Sequence, residues 1–276
     1  MFVKKVAAVA TILALGGLTP PVYAQSASEV IDRMLSEHER RSAAVDDYTV
    51  VQQVMGFETI SYFEKEMVDG RPVFRLRSSG AAGVVMESPT DGTLDEIYAV
   101  GEDLAQNARY VGRENVDGND VHVLDVPDLA GTDFGRNMSP DSDFRPTSGR
   151  FYLDAATYVP RRMEFEGEMT GPEGTNPIRS TIEMGDYREI EGMLLPYRTE
   201  LRIEGLGAAI DDETRAEFEE MQRQLEDMPP EQRRMVETMM AGQLEQFKRM
   251  MADDAPMTVE VNVSEVRVNT GPPSGD

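Results

Sequence analysis

Leu195-Pro196-Tyr197-Arg198-Thr199-Glu200-Leu201-Arg202-Ile203-Glu204 is the stretch that decides the fold. Leu195, Tyr197, Thr199, Leu201 and Ile203 alternate with Arg198, Glu200, Arg202 and Glu204. A β-strand sends successive side chains to opposite faces, so the apolar set shares one face and the charges share the other. One face must be dry and the other wet, which is the mark of an antiparallel sheet covered on one side.

Working outward, the β signal repeats. Phe151 to Ala155, Pro160 to Met169 and Ile178 to Tyr187 precede this strand, punctuated by Gly171-Pro172-Glu173-Gly174 and Glu191-Gly192. Met257 to Val268 follows it, alternating through Val259, Val261 and Val263 and then slipping phase to Val266 and Val268, which predicts a bulge. Nearer the start, Tyr48 to Val54, Ile60 to Met67 and Val73 to Arg77 read as strands, with Asp69-Gly70 as a hairpin turn. Tyr110 to Val116 and Val121 to Val126 flank a turn at Asp117-Gly118-Asn119. Ahead of all of them, Val30, Ile31, Met34 and Leu35 recur at helical spacing and predict an amphipathic helix over 28–44, its apolar face set to pack on the sheet. A short helix is expected within 94–108, with Leu94, Ile97 and Leu104 inward. The sum is an α+β fold built around one strongly curved antiparallel sheet.

Two stretches break the pattern. Residues 127–149 have no period and are rich in Asp, Ser, Pro and Gly, yet carry Leu129, Phe134, Met138 and Phe144. A long loop in a compact domain is often a lid, and the scattered apolar residues favour that reading. Residues 211–253 become helical, with Phe218, Met221, Leu225 and Met228 on one stripe and Val236, Met240, Leu244, Phe247 and Met251 on another. Pro229-Pro230 divides them, so a helical hairpin inserted between two strands is expected.

The first 24 residues have the three parts of a cleavable export signal. These are Lys4 and Lys5, an apolar run from Val6 to Leu18, and the small-residue end Val22-Tyr23-Ala24. The run falls short of the roughly 20 residues that cross a bilayer, so cleavage after Ala24 is expected. Two regions follow: signal 1–24, and one domain over 25–276 with the hairpin 211–253 as an insertion. Loss of the two lysines would take the formal charge from −24 to −26, which makes nucleic acid an unsuitable partner and an anionic membrane surface a repelling one. With no cysteine there is neither a disulfide framework nor a lipid-bearing cysteine. The expected setting is the periplasm, with no stable membrane anchor.

Catalytic apparatus is scarce. His38 falls on a charged helix face and reads as solvated; His122 falls in a strand; neither has a partner constellation. No nucleophile elbow, zinc-protease helix or phosphate loop occurs. Glu164 with Glu166 is an uninformative pair in so acidic a chain. Asp117-Gly118-Asn119-Asp120 lacks the alternating oxygen ligands of a calcium loop. No catalytic residue, metal site or cofactor is therefore expected. Methionine is the oddity: of eighteen, Met221, Met228, Met235, Met239, Met240, Met250 and Met251 lie in the predicted hairpin. They can pack as core, mould to a ligand, or offer thioethers to a soft metal.

Three blocks, in this order, resemble the outer-membrane lipoprotein-sorting proteins of the LolA/LolB-like superfamily. They are Tyr110-Val111-Gly112-Arg113-Glu114-Asn115-Val116-Asp117-Gly118 leading into Val121-His122-Val123-Leu124, then Gly149-Arg150-Phe151-Tyr152-Leu153-Asp154 with Tyr158-Val159-Pro160-Arg161-Arg162-Met163-Glu164, then Gly185-Asp186-Tyr187-Arg188-Glu189-Ile190-Glu191-Gly192-Met193-Leu194-Leu195-Pro196-Tyr197. The resemblance covers most of residues 28–269. It implies an unclosed β half-barrel whose concave apolar face, partly covered by helices and a loop, holds acyl chains. On that reading Val51, Phe74, Leu76, Phe151, Leu153, Met163, Phe165, Ile182, Met184, Leu201 and Ile203 are cavity candidates. About half of them are expected to be core under the N-terminal helix instead, since sheet-facing residues pack first against helices. Phe134, Met138, Phe144, Met240 and Phe247 are lid candidates. The resemblance implies a periplasmic carrier or chaperone, not an enzyme, whose partner is a lipid or lipidated protein. The alternative is a ligand-sensing or scaffold module that grips an envelope protein partner through the Met-rich hairpin. The hairpin is an addition to the family pattern.

Overall fold

Ser26 starts the first helix by a reciprocal cap: its hydroxyl accepts from the Glu29 amide at 3.1 Å, and the Glu29 carboxylate accepts from the Ser26 amide at 2.9 Å. This helix, α1 (Ala27–Ser42), buries Ala27, Val30, Ile31, Met34 and Leu35. In this computed structural model the described residues are 25–54, 56–68, 70–80, 97–137, 144–171, 174–209, scattered positions from 216 to 233, and 256–273. Residues 1–24, expected to be a signal, Leu94, Met138 and most of the expected hairpin 211–253, including Met240 and Phe247, lie outside them. Within the hairpin, Phe218 is buried and Met221, Leu225 and Met228 are half-buried.

Ten strands follow: β1 (Asp47–Val54), β2 (Phe57–Val68), β3 (Arg71–Gly80), β4 (Arg109–Val116), β5 (Asn119–Val126), β6 (Phe144–Asp154), β7 (Pro160–Gly171), β8 (Gly174–Ile190), β9 (Met193–Glu204) and β10 (Met257–Val268). They form one antiparallel sheet in the order β3-β2-β1-β10-β9-β8-β7-β6-β5-β4, open at β3 and β4. Among the described residues, the short helices α2 (Gly101–Asn107) and α3 (Asp133–Asn137) lie between strands. α1 touches both β9 and β3, which are separated by β10, β1 and β2. Strands sit about 4.8 Å apart, so a helix of about 10 Å diameter reaches both only if the sheet curls around it. The fold is an unclosed antiparallel half-barrel with helices in its hollow.

The expected bulge is in β10. Val51 faces Glu265 and Gln52 faces Val263, so Ser264 is the extra residue, and its hydroxyl donates to the Val51 carbonyl at 3.1 Å. The extra residue resets the phase, so Val266 and Val268 join the inner apolar residues as Val259 and Val261 do.

Residues 127–149 are not one long loop. β6 begins at Phe144, and α3 occupies Asp133–Asn137. Alternation fails in β6 as a sequence signal because Pro146, Ser148 and Gly149 carry too little apolar surface to display it, while the ladder to β7 supplies the pairing. His38 is also corrected. Its ring is stacked on Tyr98 at a centroid distance of 3.7 Å and meets the edge of Phe74, because the segment before α2 folds back over α1.

Candidate functional site

The inner face of the sheet carries a single apolar cluster that crosses seven strands. Val54, Val259, Val261, Leu201, Ile182, Met184, Met163, Phe165, Phe151, Leu153, Leu124 and Val126 join the buried face of α1, together with Ile97, Leu104, Leu129 and Phe134. A second cluster at the β1–β3 end holds Val45, Tyr48, Val50, Phe63, Phe74 and Met193.

The cavity candidates distribute as follows. Phe151, Leu153, Met163, Phe165, Ile182, Met184 and Leu201 are all buried in the large cluster, and Ile203 packs on its margin. Phe74 belongs to the second cluster, and Leu76 packs against it. Val51 is buried but takes the face of β1 opposite Val50, because the pairing of β1 with β2 is regular throughout. Those in the large cluster lie beneath α1, the segment from Ile97 and the 129–137 segment.

Phe134 is the centre of that cover. It is 1 % exposed, with its ring 5.7 Å from Phe151 and 5.8 Å from Phe165, and the Phe151 and Phe165 rings meet edge to face at 5.8 Å. Its short segment is tied mostly to itself. The Thr132 hydroxyl donates to the Leu129 carbonyl at 2.7 Å and accepts from the Gly135 amide at 3.0 Å. Arg136 donates to the Gly131 carbonyl at 2.8 Å and pairs with Asp133. Ties outward include the Leu129 amide to the Thr147 carbonyl at 2.9 Å and the Asp133 amide to Asp103 at 2.6 Å. Gly135 is required by close approach, since a β carbon there would collide with the Leu129 carbonyl. The sequence did hold a signal for α3: Thr132-Asp133 is a helix N-cap pair, overlooked among so many polar residues.

Phe144, the other described lid candidate, is half-buried at the start of β6. Its ring lies over Gly167, where a β carbon would come within 2.5 Å of it. Phe134 and Phe144 therefore both lie against the strands β6 and β7, on opposite sides of the undescribed residues 138–143.

Tyrosines and both histidines edge the hollow. Tyr98, Tyr110, Tyr158 and Tyr187 pack on the large cluster. His122, fully buried in β5, has its Nδ1 3.2 Å from the Tyr110 hydroxyl and its ring stacked on Tyr158 at 5.6 Å. Burial lowers its pKa, helped by the charge of Arg113. Burial also lowers that of His38, to about 4, against a hydrogen bond with the Pro72 backbone that opposes the shift. Tyr187 donates to the Pro160 carbonyl, and its burial holds the phenol pKa well above the ordinary value. These rings carry amphipathic surface at the margin of the apolar interior.

Among the described residues no group of His, Asp or Glu is arranged to hold a metal ion, and no helix is long and apolar enough to cross a membrane.

The fold and interior place this chain among open antiparallel half-barrels wrapped around helices. Among solved structures it is similar to an outer membrane lipoprotein-sorting protein domain from Vibrio parahaemolyticus, at 14% identity and TM-score 0.37 over 88% of this chain and 95% of that one. It is also similar to a DUF1329 family protein from Desulfovibrio piger, at 11% identity and TM-score 0.42 over 89% and 93%. A third is the complex of MucA and MucB of Pseudomonas aeruginosa, at 10% identity and TM-score 0.22 over 89% and 99%. No protein-family model matches the sequence. No curated protein matches it either.

Proposed function

We propose that this chain is a periplasmic carrier or chaperone that takes an acyl chain, from a lipid or a lipidated protein, into the half-barrel. Its working form is the single domain left after cleavage at Ala24. The observation that carries the reading is the Phe134 plug. A five-residue helix inserts one aromatic ring between Phe151 and Phe165, on an apolar face that spans seven strands. An acyl chain offers the same kind of surface as that ring, at about 0.8 kcal/mol per methylene buried, so exchange of ring for chain exposes no polar group. The reaction needs no catalytic residue. The cargo enters where the 129–137 segment lifts, and Phe144 guards the neighbouring strands.

The test is binding of a fluorescent fatty acid and transfer of lipid between vesicles, for the chain and for Phe134→Ala. The variant is expected to bind the probe at least several-fold more tightly, because the competing ring is gone. Absence of binding by both proteins, with no lipid transfer, overturns the reading.

A further inference from the structure

Beside the helix that carries Phe134 lies an open polar cleft of about 440 Å³, within the range of ordinary small-ligand sites. Its charged lining comes from three separate elements: Arg71 and Arg75 from β3, Glu102 and Asp103 from α2, and Asp133 from α3. Asp133 is the residue next to Phe134, so one short helix presents a carboxylate to this cavity and a phenyl ring to the apolar interior. The polar cleft and the apolar interior therefore meet at this one helix.

The charges in the cavity are of both signs. Arg71 and Glu102 form an ion pair at 3.0 Å across it, from the sheet edge to the helix, with side chains 33% and 72% exposed. Exposed pairs of this kind hold weakly and exchange readily with other ions. Asp103 accepts from the Asp133 amide at 2.6 Å, which couples α2 to the plug. From these features we infer that the cavity receives the head of a zwitterionic amphiphile, a phosphodiester of an amino alcohol such as ethanolamine, while its acyl chain takes the place of Phe134. The guanidinium of Arg71 matches a phosphate, and Arg75 extends the cationic wall. The carboxylates of Glu102 and Asp103 match the ammonium group. Such a head replaces the Arg71–Glu102 pair with two pairs of the same kind. The acidic chain, at −24 overall, would repel a singly anionic head, whereas a head of zero net charge carries no such cost.

This inference rests on the carrier reading, and the experiment separates the two. Three ligands with one acyl chain compete against a fluorescent fatty acid: lysophosphatidylethanolamine, lysophosphatidylglycerol and the free fatty acid. Tail-less glycerophosphoethanolamine is titrated alone by calorimetry. The ethanolamine lipid is expected to bind at least tenfold more tightly than the glycerol lipid. Arg71→Gln with Arg75→Gln, and separately Glu102→Gln, should erase that preference while leaving fatty-acid affinity and the melting temperature unchanged. Equal affinity for both lysolipids, or a preference that survives these substitutions, overturns the role of the cavity and leaves the carrier reading standing. Tail-less head binding that is Arg71-dependent, with no fatty acid bound, overturns the carrier reading instead and assigns the cavity to a water-soluble phosphodiester.

Discussion

Leu201 and Arg202 are neighbours in β9, and they divide the protein: Leu201 is buried in the inner cluster, while Arg202 lies outside in an ion pair with Glu204. The same division runs along the sheet. Inside, Phe165, Met163 and Phe151 pack against helices. Outside, Arg198 reaches Glu200 and Glu260, Arg162 reaches Glu183, and Arg179 reaches Glu166. The inner contacts are irreplaceable in shape, and the outer ones are interchangeable in water. That difference teaches where stability and function reside: a binding surface has to be borrowed from the stabilising face.

The largest expected break of this comparison is Phe165→Ala. The residue is fully buried between Phe134 and Phe151, so truncation should cost about 3–5 kcal/mol in chemical denaturation. A loss below about 1 kcal/mol would mean that the interior is loose around the plug rather than packed.

Acid should come next. His38 has its folded pKa lowered to about 4, below the unfolded value of about 6.5. Its contribution is complete above about pH 6.5 and is lost as pH falls toward about 4, because only the unfolded chain takes up the proton in that window. The loss should approach about 3 kcal/mol, and His38→Phe, which keeps an aromatic ring against Tyr98, should flatten this part of the stability profile. An identical acid limb in wild type and variant would refute the assignment.

The smallest effect is expected outside. Arg198→Ala removes two exposed ion pairs and should change stability by less than about 1 kcal/mol, readable as a shift of a degree or two in melting temperature. A larger loss would show that the outer charges act as a network.

Much of the architecture was legible because each strand carries its own evidence. Alternation in 195–204 and the slip from Val263 to Val266 identified a strand and a bulge from local order alone. The 127–149 region was misread as a loop because Phe134 and Phe144 have no periodic companions, and their partners Phe151, Phe165 and Gly167 come later in the chain. His38 was misread as solvated because the helical pattern of α1 says nothing of Tyr98, sixty positions on. The ion pair of Arg71 with Glu102 was invisible for the same reason.

By itself, then, the sequence determined most of the strands, the dry face of those that alternate, the acidic and cysteine-free character, and the absence of familiar catalytic motifs. Alternation and composition are local properties, written in neighbouring residues. Only the tertiary structure decided that α1 and Phe134 pack into the hollow, and that a mixed-charge cleft lies beside the helix of Phe134. Both depend on sheet curvature and on contacts between distant segments, whose strength is set by packing in three dimensions rather than by any order along the chain.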